Sequence, residues 1–403
     1  MDYVLTPISK CVKKVSTWNP KQEPDAEDFP YVDLSSVDKE SKNIALERVE
    51  LVSPADAPSR ARQLIVTGDV LVSTVRPNLN GVALVSEELD GATASTGYCV
   101  LRPEPSKLDS RYLFYWVQSP HFVESMMKQA TGANYPAVSD RIVKDSEIPL
   151  PPLAEQKRIA AILDKADALR RKRQQAIDLA DQFLGSVFLD MFGDPVTNPK
   201  GWEVMTAGEC IQKGLIHSIQ DGNHGNDHPK VADFSQDGLP FIAANVVRNG
   251  KIQFDKCYYL SDKWLDKLRI GFAKPRDVLL THKGTLGLTA VMDDTYPIYI
   301  FSPQTTYYRL NGVEILPEYL KGYFDTEYFQ RLLEKEGKQS TRAYIGITRQ
   351  KELPILVPSI DVQIKYVELA EQVKQKVSKY SLHDRACEEL FSSISQQAFS
   401  GQL

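Results

Sequence analysis

The stretch Pro151-Pro152-Leu153-Ala154-Glu155-Gln156 returns about 207 residues later as Pro358-Ser359-Ile360-Asp361-Val362-Gln363. Each copy opens a long charged helix. No helix can run through Ile148-Pro149-Leu150-Pro151-Pro152, so the chain must enter the first one extended. From about Leu153 to Phe192 apolar residues step through Ile159, Ile162, Ala166, Leu169, Ala176, Ala180, Phe183, Val187 and Met191. Intervals near three and four predict a heptad seam, with Arg173 at one seam position. Gly193-Asp194-Pro195 stops the helix. From about Asp361 to Gln397 a second seam reads Ala370, Val373, Val377, Tyr380, Cys387, Phe391 and Ile394, with Asp384 where an apolar residue is due.

Outward from the helices the duplication continues. Pro30-Tyr31-Val32 returns as Pro240-Phe241-Ile242, and Gly68-Asp69-Val70-Leu71-Val72-Ser73 as Arg276-Asp277-Val278-Leu279-Leu280-Thr281. Arg111-Tyr112-Leu113 with Phe122 returns as Glu318-Tyr319-Leu320 with Phe329. This period is far longer than the ~20–50 residues of a solenoid unit. The expected fold is α+β: two duplicated mixed α/β domains joined by two long helices that form an antiparallel coiled coil, with pseudo-two-fold symmetry. The expected divisions are a first domain at 1–152, a central helix at 153–194, a second domain at 195–358 and a distal helix at 359–403. Two exposed apolar stripes favour pairing of the helices. Arg173 and Asp384 are then expected to meet and set the register, unless each snorkels to solvent separately.

Within the first domain, short β-rich runs fall at 68–74, 82–86 and 98–101, and one helix is expected from about Ser110 to Gln129. Its second copy falls near Pro317–Glu336. The second domain also carries an apparent insertion, Gly214–Lys230. Its His217, His224, Asp227 and His228 match no common zinc spacing, so no metal site is assigned.

The 403 residues are 42% hydrophobic and 25% charged, ordinary values for a soluble globular chain. No apolar run reaches the ~18–20 residues of a membrane span, and Met1-Asp2-Tyr3 does not begin a signal peptide. Five cysteines without a CxxC pair fit reduced thiols and a cytoplasmic protein. A net charge of −5 weighs against a nucleic-acid binder. The charges are segregated, however: residues 157–173 hold seven Lys/Arg against two Asp, while residues 20–50 are rich in Asp and Glu.

The run Ile148-Pro149-Leu150-Pro151-Pro152-Leu153-Ala154-Glu155-Gln156-Lys157-Arg158-Ile159, continuing through Ile162-Leu163-Asp164 to Arg173, resembles the specificity subunit of type I DNA restriction–modification enzymes. It looks like the junction from that family's first target-recognition domain into its central conserved helix. Val75-Arg76-Pro77-Asn78-Leu79, Ala130-Thr131-Gly132-Ala133-Asn134-Tyr135-Pro136 and the ending Gln397-Ala398-Phe399-Ser400-Gly401-Gln402-Leu403 resemble other recurring stretches of it. In the second copy His282-Lys283-Gly284 and Ser340-Thr341-Arg342-Ala343-Tyr344-Ile345 depart from those turns. The resemblance covers essentially the whole chain. It implies a subunit without catalysis that reads a bipartite, asymmetric site in double-stranded DNA, one domain per half-site. Paired helices would set the gap and dock two methyltransferase subunits, with restriction/translocase subunits joining. S-adenosylmethionine and ATP would belong to those partners, leaving this chain without a cofactor.

Reading bases requires side chains that present hydrogen-bond forks to base edges, plus cations and small donors for phosphates. The first domain offers Ser73, Thr74, Arg76, Asn78 and Asn80, then Asn134, Tyr135, Ser139 and Arg141. The second offers Thr281, His282, Lys283 and Thr285, then Arg342, Tyr344, Thr348 and Arg349, with Asn245, Arg248 and Asn249 as further candidates. The basic run Arg170-Arg171-Lys172-Arg173 reads either as a solvated helix face or as a site for phosphates or a partner. No Walker A, GxGxxG or Gly-x-Ser-x-Gly motif is present. The rival reading is a two-domain scaffold that recruits proteins and not DNA.

Overall fold

The computed structural model describes residues 3–132, 135–225, 228–337 and 343–403, without the side chains of 378–389. Its contacts divide the chain within both long helices: one unit is Met1–Gln175 with Tyr380–Leu403, the other Ala176–Lys379. Each unit therefore holds one domain, one end of the central helix (Leu153–Phe192) and the opposite end of the distal helix (Ile360–Phe399).

Unit 1 builds two four-stranded sheets. One runs in the order Glu50–Val52, Phe29–Val32, Thr93–Ser95, Ala61–Leu64, with its middle pair parallel. The other is antiparallel, in the order Val12–Lys13, Tyr98–Pro103, Val70–Ser73, Val82–Leu84. Unit 2 repeats both orders, with Tyr258–Leu260, Leu239–Ile242, Tyr299–Phe301, Phe272–Ala273 and with Ile216–Asp221, Thr305–Leu310, Val278–Thr281, Thr289–Val291. The strand Ile216–Asp221 starts within the expected insertion and is the counterpart of the short edge strand Val12–Lys13. The apparent insertion is thus a longer edge strand followed by a loop.

The single helix expected from Ser110 is two, Ser110–Trp116 and Pro120–Gln129. Pro120 lacks the N–H that would continue the ladder, and the Ser119 hydroxyl caps the second helix by accepting from the Phe122 N–H at 3.3 Å. The second copy breaks likewise into Pro317–Phe324 and Glu327–Gly337, where Thr326 accepts from the Phe329 N–H.

The helices pack antiparallel within each unit. In unit 1 Ile159, Ala160 and Leu163 from the start of the central helix share a core with Ala398, Phe391 and Phe399 from the end of the distal one. In unit 2 Phe188 and Phe192 meet Tyr366 at 5.3 and 5.5 Å between ring centroids. The predicted seam needs correction, however. Leu169 and Phe183 are 44% and 50% exposed, whereas Leu163, Phe188 and Phe192, which lie off that seam, are buried. The buried face follows the domain cores into which the helix ends sink, and not the partner helix alone. Arg173 is half-buried, and the side chain of its expected partner Asp384 lies outside the described residues.

One buried side chain joins each domain to its helix. The Gln156 amide donates to the carbonyls of Lys107 (3.0 Å) and Pro151 (2.8 Å), and its oxygen accepts from the Asp109 N–H (2.9 Å). Gln363 repeats this on Glu314 (2.8 Å), Pro358 (2.9 Å) and the Leu316 N–H (2.9 Å). A tyrosine hydroxyl adds a bond to the extended entry in each copy, Tyr112 to the Pro149 carbonyl and Tyr319 to that of Leu356. Bidentate pairs repeat as well: Arg102 with Asp69, and Arg309 with Asp277, at 2.7–3.0 Å.

Among the described residues, unit 2 alone buries a histidine. Gln350 donates to the Ile345 carbonyl and accepts from the Tyr308 hydroxyl, which fixes its amide. Its nitrogen faces His282 Nδ1 at 2.7 Å, so Nδ1 accepts and Nε2–H donates to the Pro303 carbonyl at 3.1 Å. Burial pushes this imidazole below its ordinary 6.5; the Pro303 carbonyl and the Asp221 carboxylate pull the other way.

Two outcomes are expected. Gln156→Leu leaves the buried Pro151 carbonyl without this donor, at about 1–3 kcal/mol, and removes the partner of the part-buried Lys107 carbonyl and Asp109 N–H. Amides of Ser110–Trp116 should then lose hydrogen-exchange protection well before those of Pro317–Phe324; equal protection would show that the clamp bears no weight. For His282 the unfolded imidazole takes up its proton at a higher pH than the folded one. Stability of unit 2 is therefore whole above about pH 6.5 and falls below it. His282→Gln should flatten that decline in denaturant titrations, leaving the share of His228, which burial also depresses. An unchanged pH profile would contradict the assignment.

Candidate functional site

In each unit the two candidate loops lie edge to edge. The strand Val70–Ser73 runs into a loop whose Val75 bridges Ala137, and the Arg76 N–H donates to the Pro136 carbonyl at 2.7 Å. The Val138 N–H donates back to the Thr74 carbonyl at 2.9 Å. In unit 2 Lys283 bridges Tyr344, Gly284 donates to the Ala343 carbonyl and Ile345 to that of His282. One backbone framework therefore presents both loops in both copies, while the side chains on it differ.

Those side chains divide by exposure. In unit 1 Arg76, Asn78, Tyr135, Ser139 and Arg141 are exposed. Ser139 spends its hydroxyl as the cap of helix Asp140–Asp145, and Arg141 pairs with Asp145 at 3.2 Å. Ser73 is half-buried and bonds the Val75 carbonyl. Thr74 is buried on the Gly97 carbonyl. Asn80 adopts a left-handed turn, donates to the Gln118 carbonyl, and its own carbonyl takes the Lys42 ammonium at 2.6 Å. Asn134 lies outside the described residues.

In unit 2 Lys283, Thr285, Tyr344 and Thr348 are exposed. Thr281 and His282, expected at the surface, are 0% and 1% exposed. Thr281 accepts from the Leu288 N–H and His282 anchors the polar network described above, so both support the loop from beneath. Thr74, Thr281 and His282 are corrected accordingly: the end of an inward-facing strand carried polar letters that fold into the core. Arg349 is exposed, but its guanidinium is committed to Glu336 and Glu352. Arg342 lies outside the described residues.

Asn245, Arg248 and Asn249 occupy a different place. Arg248 and Asn249 stand on the hairpin of Val247–Arg248 and Lys251–Ile252, where Asn249 and Gly250 make the turn with positive φ. They border a cleft of about 1240 Å³ whose lining includes Asp181, Lys321 and Lys374. Burial lowers the Lys374 pKa and raises that of Asp181. These lysines, like Lys42 in unit 1, gave no sequence signal, because they are isolated cations whose setting only the tertiary fold supplies. The basic run proves partly spent: Arg170 and Arg171 both hold the buried Asp167 carboxylate, at 2.8 and 2.7 Å.

A cation over a tyrosine marks each loop pair. The Arg76 guanidinium sits 4.6 Å from the Tyr135 ring centroid, and the Lys283 ammonium 5.8 Å from that of Tyr344. Both distances lie within the ~6 Å reach of such contacts. The lysine pair occupies the bridge positions themselves, whereas Arg76 and Tyr135 lie one and two residues away from theirs.

Comparison with known proteins agrees with this architecture. Residues 20–179 match the type I restriction modification DNA specificity domain. The chain is 24% identical over 287 residues to the MjaVIII specificity subunit of Methanocaldococcus jannaschii, covering 67% of this chain and 66% of that one. It is 21% identical over 338 residues to the EcoBI specificity subunit of Escherichia coli, covering 76% and 68%. The chain thus spans about two thirds of the length of these relatives. Among solved structures, the fold resembles a chain from a study of assembly and conformational transition in a type I restriction–modification system, at TM-score 0.51 and 24% identity over 100% and 98% of the two chains. It also resembles the type I S subunit from M. genitalium, at TM-score 0.55 and 15% identity over 99% and 96%. Residues 20–179 thus match the type I restriction modification DNA specificity domain, and with its duplicated domains and clamped helices the chain is similar to the specificity subunits of type I restriction enzymes.

Proposed function

We propose that this chain is the non-catalytic DNA-recognition subunit of a type I restriction–modification complex. Each unit reads one short half of a bipartite duplex site, and the helices set the unread gap. The observation that carries this reading is the pair of edge-joined loops, built on the same backbone in both units yet armed with different side chains. A duplicated framework with divergent polar tips suits two half-sites of different sequence. Leu179 and Phe183, one turn apart on the central helix and 63% and 50% exposed, offer an apolar seat for methyltransferase subunits. S-adenosylmethionine and ATP are assigned to those and the translocase subunits.

Sequence selection from a random duplex pool tests the reading, with the chain co-expressed with its methyltransferase partner at two salt concentrations. Two different short motifs at a fixed gap are expected, with affinity falling steeply as salt rises. A folded, assembled complex that enriches nothing would leave the protein-recruiting scaffold as the better reading. Deleting one heptad from each long helix shortens it by ~10 Å. At ~3.4 Å per base pair the preferred gap should contract by ~3 base pairs. An unchanged gap in an assembled variant would sink the ruler.

A further inference from the structure

We propose that Arg76, held over Tyr135, is the residue through which unit 1 reads a guanine; the inference rests on the DNA-reading function above. The backbone makes the first argument. Arg76 has φ 50° and ψ 61°, a left-handed conformation that L side chains resist, and it precedes Pro77, which restricts it further. Gly284 holds the equivalent place in unit 2, donating the same loop-joining hydrogen bond at φ +81°. An added Cβ at Gly284 would meet nothing within 4 Å, so space does not dictate the choice. The framework needs a left-handed residue here, and glycine supplies one without strain. In unit 1 a bulky cation is retained instead.

Within the fold that cation has little to do. Besides asparagines, the described residues with positive φ that are not glycine are Lys42, Arg76 and Arg276. Lys42 is explained by its bond to the Asn80 carbonyl, and Arg276 by its bidentate pairing with Glu318. For Arg76 no carboxylate or carbonyl within reach takes its side-chain N–H groups among the described residues; its contact is the ring of Tyr135, itself 67% exposed and outside every core cluster. A guanidinium held over a ring leaves its N–H groups free to donate and narrows the directions they take.

The chemistry of the loops chooses the target. A fixed fork of two N–H donors matches guanine O6 and N7 in the major groove. Phosphates accept the same fork, but phosphate sites gather cations. Here residues 73–81 and 131–139 contain no Lys or Arg besides Arg76; the nearby Lys42 is bonded to the Asn80 carbonyl and Arg141 is paired with Asp145, while the exposed neighbour Asn78 is an amide. One arginine without a carboxylate or carbonyl partner among the described residues, beside an amide, suits a base edge.

The test repeats the selection with the assembled complex carrying wild type, Arg76→Gly, Arg76→Gln or Tyr135→Phe. Arg76→Gly relieves the backbone, so its fold should be retained. Wild type should enrich a guanine in the half-site of unit 1. Both Arg76 variants should lose discrimination at that one position, by roughly 5- to 150-fold, while the other half-site stands unchanged. Tyr135→Phe, which keeps the ring, should preserve the guanine. The same guanine surviving in Arg76→Gly, or a wild-type half-site without guanine, would overturn the assignment. So would an even loss across all sequences with a salt slope reduced by about one, which denotes a phosphate contact. Failure of the wild type to enrich any sequence strikes the DNA-reading function itself, before any variant is compared.

Discussion

Everything the helices do depends on a buried amide. Gln156 and Gln363 each tie the first turn of a 40-residue helix to the backbone of the domain before it, with two carbonyls and one N–H as partners. A buried apolar residue would add more hydrophobic energy, but apolar contacts are non-directional and permit sliding. Three hydrogen bonds from one planar group permit one orientation. The flanking prolines remove competing helical registers at the entry, and the Tyr112 and Tyr319 hydroxyls hold that entry in place. The direction in which each helix leaves its domain is thereby fixed at its root.

This junction was legible in the sequence because its parts are close together. Pro-x-Leu/Ile-x-x-Gln recurs within six residues, and the interactions it makes explain why it recurs. Features whose causes are distant were not legible. His282 and Thr281 read as polar tips because nothing adjacent to them in sequence reveals Gln350 or Leu288 as partners. The heptad seam was misplaced for a related reason. A period near 3.5 predicts one partner stripe, whereas Leu163, Phe188 and Phe192, off that stripe, sink into domain cores composed of residues far along the chain. Apolar periodicity also ran across the break at Ser119, where a cap and a proline outweighed it.

The two copies separate what the fold requires from what it tolerates. The fold requires a positive φ at one place before the strand and another after it. Unit 1 fills the first with Gly68 and the second with Arg76; unit 2 fills them with Arg276 and Gly284. Likewise the loop-joining hydrogen bonds persist while the residues projecting from them change. A backbone specified by its own donors and acceptors is insensitive to the side chains at its surface. That insensitivity lets the loop vary without refolding the domain, as half-sites of different sequence would demand under the proposed function.

Charge decides how such a chain would tell one sequence from another. Its net charge is −5, and many of its arginines are already engaged: Arg102 with Asp69, Arg111 with Asp164, Arg158 with Glu155, Arg170 and Arg171 with Asp167, Arg276 with Glu318, Arg309 with Asp277 and Arg349 with Glu336. A guanidinium committed to a carboxylate releases few counterions from DNA, so the sequence-independent part of the affinity contributed by these residues is small. Weak non-specific attraction raises the relative weight of each contact that discriminates. Under the function proposed here, the binding strength comes largely from the assembled partners, and this chain supplies the difference between sequences. A few uncommitted groups on a stiff framework are enough for that task, because specificity is a difference of affinities and not their sum.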